Sequence, residues 1–107
     1  MTSAKLIVAY PQPTDVQAFE AVYQNEHVPL AIANLAGKTK IVSTKILQSL
    51  QGTLPFYRIA EVHFPSMDAL QRCAGSMGGK ETLAHAARIS SGGPPLIMIA
   101  EEDSFMF

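Results

Sequence analysis

The chain has 107 residues, of which 48% are hydrophobic and 16% are charged, and its formal net charge is -1. This length fits a single domain, which we expect to span residues 1–107. The basic residues are scattered, and no apolar run approaches the roughly 18 residues of a membrane span. The single cysteine, Cys73, excludes an internal disulfide and suits a reducing compartment. These features predict a cytoplasmic protein that binds neither nucleic acid nor membrane.

The first strand and the first helix are separated by a proline-bounded loop. Residues 4–10 are rich in Leu, Ile, Val and Ala and stop at a Pro-Gln-Pro segment, which predicts a central strand. Thr14 or Asp15 suits the N-cap of the helix that follows, and its apolar spacing continues to about His27. Pro29 lacks a backbone donor and disfavours helical geometry at the preceding residue. We therefore expect this helix to break or kink just after His27.

Two strands follow in the middle of the chain. The helical spacing that resumes after Pro29 is expected to end at Gly37 in a left-handed cap. Residues 41–50 alternate in the manner of an edge strand, and turn-forming residues 51–55 lead to another alternating strand at 56–64. One face of this strand carries Phe56, Arg58, Ala60, Val62 and Phe64, and the other carries Tyr57, Ile59, Glu61 and His63.

A second helix and a last strand complete the chain. Ser66 suits an N-cap, and the apolar stripe that follows it is interrupted by three glycines before a helical continuation at about residues 80–89. His85 lies among alanines in this continuation, and we expect it at the surface. Residues 96–101 form an apolar strand, and residues 103–107 form a tail.

The order of these elements predicts the fold. A strand-helix-strand-strand-helix-strand order with right-handed crossovers gives an α+β, ferredoxin-like βαββαβ fold. Its four-stranded antiparallel sheet has the strand order 4-1-3-2 and carries both helices on one face. The last strand lies at an edge, yet residues 96–100 are apolar on both sides, and large apolar surfaces usually mark interfaces. We therefore predict a homodimer in which the two sheets pack together.

The segment from Tyr23 to Leu30 concentrates the candidate chemistry. Phe19, Tyr23 and His27 are spaced by four residues, so they share one face of a helix and the phenol can meet the imidazole. Because Pro29 interrupts the helix beside it, His27 is placed where a pocket can open. The structural alternative is that His27 only interacts favourably with the C-terminal end of the helix dipole.

A histidine that acts as a general acid or base needs a group that orients it. The Tyr23 hydroxyl and the Glu61 carboxylate are the candidates for orienting His27. By strand alternation Tyr57 and His63 share the face of Glu61, so these three side chains and His27 form a cluster if that face meets the helices. If that face instead meets a partner sheet, His63 is an interface residue.

Arg58 lies on the opposite face of its strand, where it is expected to form an intersubunit salt bridge or to bind a substrate carboxylate.

Other familiar sites are missing from the sequence. No phosphate-binding loop and no nucleophile elbow are present. The three histidines, His27, His63 and His85, lack the spacing of a metal-binding pair. We therefore predict neither a metal nor another cofactor.

Three stretches of the chain carry a resemblance to a known family. Residues 5–11 form an opening strand, Phe19-x-x-x-Tyr23-x-x-x-His27-Val28-Pro29-Leu30 ends a helix with a His-x-Pro-Leu signature, and residues 60–70 lead from a strand into a helix. In these stretches the chain resembles the EthD family of dimeric α/β-barrel proteins. The resemblance fades from about Gly75 to Gly93.

The resemblance implies a dimer with one pocket per protomer, between sheet and helices, for a small hydrophobic organic ligand such as a lactone, an aromatic or a polyketide-like molecule. Isomerase or cyclase chemistry without a cofactor and a monooxygenase-like reaction are both implied. The alternative is a non-catalytic binding protein or an accessory to an oxygenase degradation system. The candidate catalytic residues are His27, Tyr23 and Glu61, and the candidate substrate-binding residues are Phe19, Leu30, Tyr57 and His63.

Overall fold

A computed structural model of the chain, which describes residues 3–107, shows a four-stranded antiparallel sheet with helices on one face. The strand order is β2-β3-β1-β4, as predicted, with β1 and β3 in the centre. The α+β, ferredoxin-like fold is therefore confirmed. In chain order the elements are β1 (Ser3–Tyr10), α1 (Val16–Val22), a π-helical turn (Tyr23–His27), α2 (Val28–Asn34), β2 (Lys40–Lys45), β3 (Arg58–Phe64), α3 (Met67–Gly75), α4 (Met77–Ile89) and β4 (Leu96–Glu102).

The sheet has a covered face, which packs against the helices, and an open face. Leu6 pairs with Val62 and Val8 pairs with Ala60 across the two central strands, and all four side chains are buried on the covered face. Because successive strand residues point to opposite sides, the residues between them belong to the open face. The open face includes Ser3, Lys5, Ile7, Ala9, Lys40, Val42, Thr44, Ile59, Glu61, His63, Leu96, Met98, Ala100 and Glu102.

The predicted helix caps are present. The Asp15 Oδ1 atom accepts the backbone N–H of Ala18 at 3.1 Å, and the Ser66 Oγ atom accepts that of Ala69 at the same distance. Such bonds satisfy donors that have no partner within the helix. Gly37 adopts a φ of 87°, as expected for a residue that follows a helix in the left-handed region.

The predicted break after His27 is wrong, because the chain stays helical through Pro29. The irregularity lies one turn earlier, where the backbone N–H of Val28 donates to the Tyr23 carbonyl and the helix widens into a π-helical turn. Pro29 then occupies the first turn of α2, where its missing N–H is tolerated. The widened turn relieves the clash that proline makes with the carbonyl of the preceding turn.

The predicted interruption of the second helix is present, because α3 ends at Gly75 and α4 begins after Ser76, but Gly78 and Gly79 lie inside α4, where they allow close packing. α4 begins at Met77 rather than near residue 80, and Ser76 caps it by accepting the backbone N–H of Gly79 at 3.0 Å. A Cβ atom at Gly79 would collide with the carbonyl oxygen of Cys73, and one at Gly78 with that of Asn34. Only glycine fits here because α4 starts against the neighbouring backbone.

Two regions of core lie between the helices and the covered face. One is mainly aliphatic and includes Leu6, Leu35, Phe64 and Leu70. The other is aromatic, and its members meet edge to face or stacked at centroid separations of 5.3 to 5.8 Å; it contains Tyr10, Phe19, Tyr23 and Tyr57. No helix within residues 3–107 is long and apolar enough to cross a membrane.

Candidate functional site

The π-helical turn directs Tyr23 and His27 toward the covered face of the sheet. Both side chains are buried, and their rings stack at 5.7 Å with 26° between the planes. The predicted contact between the two residues is therefore present, but it is not a hydrogen bond. The Tyr23 hydroxyl lies 2.7 Å from Ser43 Oγ on β2, so it does not orient the imidazole.

His27 instead meets two side chains from other elements. Its Nε2 atom lies 3.3 Å from the hydroxyl oxygen of Tyr10 at the end of β1, and its Nδ1 atom lies 2.9 Å from Nδ1 of His85 on α4. The two imidazole planes differ by only 6°. Since ring N–H groups lie in the ring plane, the two histidines meet at their Nδ1 edges rather than face to face.

This pairing restricts where the protons lie. A neutral imidazole has one N–H donor and one acceptor nitrogen, so a bond between two Nδ1 atoms requires one of them to carry hydrogen. If His27 donates, its Nε2 accepts from Tyr10; if His85 donates, the His27 Nε2–H donates to Tyr10 instead. The three side chains therefore form one hydrogen-bonded chain whose polarity can reverse.

Burial keeps the His27 imidazole and the Tyr10 phenol uncharged. Burial, helped by the neighbouring His85, lowers the pKa of His27 from 6.5 to about 4, so the ring is neutral near pH 7. Burial also raises the pKa of Tyr10 well above its usual value, with a smaller effect from Tyr23. The Tyr10 phenol therefore keeps its proton and remains a hydrogen-bond donor.

A narrow cavity of about 30 Å³ lies beside His27, between the covered face and the helices. This volume suits about one water molecule. Most of its lining is aliphatic, and Tyr23 and Thr82 direct their hydroxyls to Ser43 and to the carbonyl of Gly78. Among the lining residues, only Tyr10 and His27 present polar side-chain atoms that bond to each other.

Two alternatives were open for Glu61 and His63, and the one that brings them to His27 is wrong, because both residues lie on the open face. Glu61 pairs with Ile7 and His63 with Lys5 across the central strands. The Glu61 Oε2 atom lies 2.5 Å from Lys5 Nζ, and His63 Nδ1 lies 3.5 Å from Glu102 Oε1. Strand alternation puts the whole sheet between these groups and His27, so the cluster that was expected does not form within one protomer.

Arg58 forms an ion pair within the chain, contrary to the expected intersubunit bridge. Its Nη2 atom lies 2.5 Å from Glu20 Oε1 on α1, and its Nη1 donates to Ser43 Oγ at 3.0 Å. The Tyr57 hydroxyl also donates to Glu20 at 2.5 Å. Burial alone would raise the pKa of Glu20, but the hydrogen bonds from Tyr57 and Arg58 outweigh it and lower the pKa.

Three of the candidate substrate-binding residues lie away from the cavity. Phe19 and Tyr57 pack edge to face with each other at 5.8 Å, on the aromatic side of the core. Leu30 is half-buried on α2. None of the three lines the cavity, whereas the candidate catalytic residues Tyr23 and His27 both do.

Sequence reasoning missed Tyr10 and His85, although both lie on periodic patterns. Tyr10 continues the alternation of Leu6 and Val8 on the covered face. His85 lies three residues after the buried Thr82 and next to the buried Ala86, at the margin of the packed stripe of α4. These spacings predict the face on which each side chain lies but not the partner that it meets there.

Within residues 3–107 no group of three or more His, Cys, Asp and Glu side chains is arranged to hold a metal ion.

Known proteins are similar to this chain in sequence. The family model described as the EthD domain matches residues 11–90. An uncharacterized 11.0 kDa protein in the thcB-thcC intergenic region of Rhodococcus erythropolis is 28% identical over 99 residues, which cover 92% of this chain and 94% of that protein.

Two solved structures resemble the fold of this chain. An ethyl tert-butyl ether d (EthD) family protein from Bacillus halodurans is 33% identical, with a TM-score of 0.85 and coverage of 94% of this chain and 99% of that one. A dimeric ferredoxin-like protein of unknown function from Jannaschia is 12% identical with a TM-score of 0.65, covering 95% of this chain and all of that one, and it shows the fold alone. Because the family model matches well over half of the sequence, this chain belongs to the EthD family.

Proposed function

We propose that this protein binds a small, mainly apolar carbonyl compound beside His27 and moves a proton at the carbon next to the carbonyl. The observation that supports this function is the pairing of His27 Nε2 with the Tyr10 hydroxyl, 3.3 Å apart, in an otherwise apolar cavity. A neutral imidazole is a general base near pH 7, and a protonated phenol is a donor for the oxygen that becomes negative.

The two groups have complementary roles in this proposal. His27 Nε2 accepts the proton of the carbon, while the Tyr10 O–H donates to the carbonyl oxygen as it becomes an enolate. The 3.3 Å separation is long for a hydrogen bond, so little is lost when a ligand atom replaces the direct contact. Return of the proton at another carbon completes an isomerisation or follows a ring closure, without a metal or a flavin.

The ligand requires the site to widen. A cavity of about 30 Å³ is far below the roughly 300 Å³ or more that an organic ligand occupies. Val28 at the start of α2 and Leu83 on α4 line the cavity and are only half-buried, so the boundary between these two helices is the proposed entrance. Irregular π-helical turns are frequent at functional sites.

Exchange of carbon-bound protons tests the activity without knowledge of the natural substrate. A panel of small unsaturated lactones and β-diketones is incubated in D₂O with the protein, and the loss of each α-proton signal is followed by ¹H NMR. We expect catalysed exchange with the unchanged protein, a rate roughly 100-fold lower for His27→Gln, and a rate roughly 10-fold lower for Tyr10→Phe.

Glu26→Gln is the matched control, because Glu26 is an exposed residue of the same π-helical turn. Its exchange rate is expected to equal that of the unchanged protein. Exchange that persists in His27→Gln would contradict the role of His27. Lactone binding without any exchange would instead favour the non-catalytic binding function.

We also propose that the open face packs against the same face of a second copy. Leu96 and Met98 lie on this face and are 50% and 42% exposed in the isolated chain. Apolar surface of this kind on an edge strand normally requires a cover. The Jannaschia protein with the same fold is described as dimeric, which supports the proposal. Sedimentation equilibrium at micromolar concentration is expected to give twice the chain mass.

A further inference from the structure

The hydrogen-bonded chain at His27 continues outward to His85. His85 is only partly buried on α4, whereas His27 is 7% exposed and Tyr10 is fully buried. We propose that His85 is a positioning residue that passes protons between His27 and solvent, so that the two histidines act as one relay. This inference rests on the proposed role of His27 as the group that exchanges a proton with the ligand.

The two imidazoles are placed for direct proton transfer. The two Nδ1 atoms are 2.9 Å apart in nearly parallel rings, which is a hydrogen-bond distance between nitrogen atoms. A hydrogen on this line moves from one nitrogen to the other without rotation of either ring. Each imidazole also has a second nitrogen, so a proton received at one edge can leave from the other.

Few other ionisable groups near His27 could pass its proton to solvent. His27 faces Tyr10 from β1, Tyr23 from its own turn and His85 from α4. Both phenols keep their protons because burial is the largest influence on their pKa values and raises them. On α4, Glu81 and Arg88 flank His85 one turn away and are exposed.

Both histidines begin and end the transfer neutral. His27 begins with hydrogen on Nδ1, donated to His85 Nδ1, and its Nε2 takes a proton from the ligand. The Nδ1 hydrogen then moves to His85, which becomes a cation and releases its Nε2 hydrogen to water. His27 ends neutral with hydrogen on Nε2, and His85 ends neutral with hydrogen on Nδ1. The net result is one proton moved from the ligand to solvent, and the reverse sequence returns it.

Two variants separate proton passage from simple support of the ring. His85→Gln keeps a side chain that can hydrogen-bond to His27 Nδ1 but cannot pass a proton through itself. His85→Phe removes both functions. Arg88→Gln is the control on the same helix, since Arg88 is exposed. All variants are compared by their ¹H–¹⁵N backbone spectra, which report whether the fold is kept.

The readout is ¹⁵N NMR of the histidine rings in the ligand-free protein, which gives the hydrogen position and the exchange rate of the ring N–H with water. In the unchanged protein we expect one of the two Nδ1 atoms, and not both, to carry hydrogen. We expect the His27 N–H to exchange at least about tenfold more slowly in both His85 variants, and at the unchanged rate in Arg88→Gln.

Unchanged exchange in folded His85→Gln would overturn the relay, and so would hydrogen on neither Nδ1 atom in the unchanged protein. Because no ligand is present, the result is independent of the lactone assay. A protein that exchanges no lactone proton but shows the histidine pairing contradicts only the proposed function. Catalysed lactone exchange with normal N–H exchange in His85→Gln contradicts only the relay.

Discussion

The two faces of the sheet hold ionisable residues in different ways. On the covered face burial keeps His27 neutral, and the buried Arg58 is matched by Glu20. On the open face Lys5 bridges two carboxylates, Glu61 at 2.5 Å and Glu102 at 3.4 Å, and the hydrogen bonds that its ammonium group donates to Glu61 and then to Glu102 raise its pKa. The covered face thus combines a neutral imidazole with one matched ion pair, whereas the open face holds a cation shared by two carboxylates.

The difference between the faces follows from a one-residue offset along β3. Arg58 and Ala60 point toward the helices, whereas Glu61 and His63 point away from them. A carboxylate at position 61 is therefore excluded from the His27 site by the pleat of the strand, although the sequence places it close to the covered residues. The same offset leaves the open face available for a partner.

The largest expected effect is the weakening of the proposed dimer by a charge placed on the open face. In the proposed dimer Met98→Asp buries two unpaired carboxylates, and each is costly to remove from water. We expect the dimer dissociation constant to rise about 1,000-fold or more, which sedimentation equilibrium measures. Ile32→Asp is the matched control, because Ile32 is 58% exposed on α2, on the helical side of the sheet. Equal assembly of the two variants would contradict the sheet-to-sheet dimer.

The second-largest expected effect is the pH dependence of the free energy of unfolding that His27 contributes. The pKa of His27 is about 4 in the folded protein, against 6.5 for an ordinary histidine, mainly because of burial. The unfolded state thus binds more protons between these values, so the free energy of unfolding falls as pH drops from about 6.5 to 4, by roughly 3 kcal/mol. Urea unfolding of Met98→Asp at several pH values measures this slope.

Adding His27→Gln to that variant removes the titrating group. The part of the pH dependence between 6.5 and 4 should then be lost, whereas any contribution of the carboxylates at lower pH remains. A slope that is the same with and without His27 would show that the imidazole is not held neutral by burial.

The smallest expected effect is the difference in unfolding free energy between variants of the two ion pairs. Glu20→Gln leaves the buried Arg58 with an uncompensated charge, and because Glu20 itself is partly exposed we expect a loss of about 2 kcal/mol in the free energy of unfolding, as for a hydrogen bond between charged groups. Glu61→Gln leaves Lys5 with Glu102, and a partly exposed pair contributes only about 0–1 kcal/mol. Both are measured in the Met98→Asp background, where the open face meets water. Equal losses would mean that the faces do not differ in this respect.

The fold was predictable because each element has a local signal. Alternation, helical spacing and caps such as Asp15 and Ser66 depend on neighbouring residues, and the order of the elements then restricts the topology. The errors arose where tertiary contacts override local preference. Gly79 lies inside a helix because α4 starts against the backbone of Cys73, and Pro29 is accommodated because the preceding turn widens.

The candidate site was only partly predictable for the same reason. Spacing by four placed Tyr23 and His27 on one helix face, and the structure shows them stacked. Sequence spacing did not indicate which hydroxyl would reach the imidazole, and that group is Tyr10 rather than Tyr23. It also did not indicate that Arg58 would find Glu20 on α1.

The sequence by itself determined the order of the elements, the antiparallel sheet and the placement of His27 on a helix face, because these follow from periodicities of a few residues. Only the tertiary structure decided the partners of His27. His85 lies 58 positions away and Tyr10 lies 17 positions away, and these side chains meet because the helices pack on one chosen face of the sheet. That choice also sends Glu61 to the opposite face, since alternation along β3 leaves it no other direction.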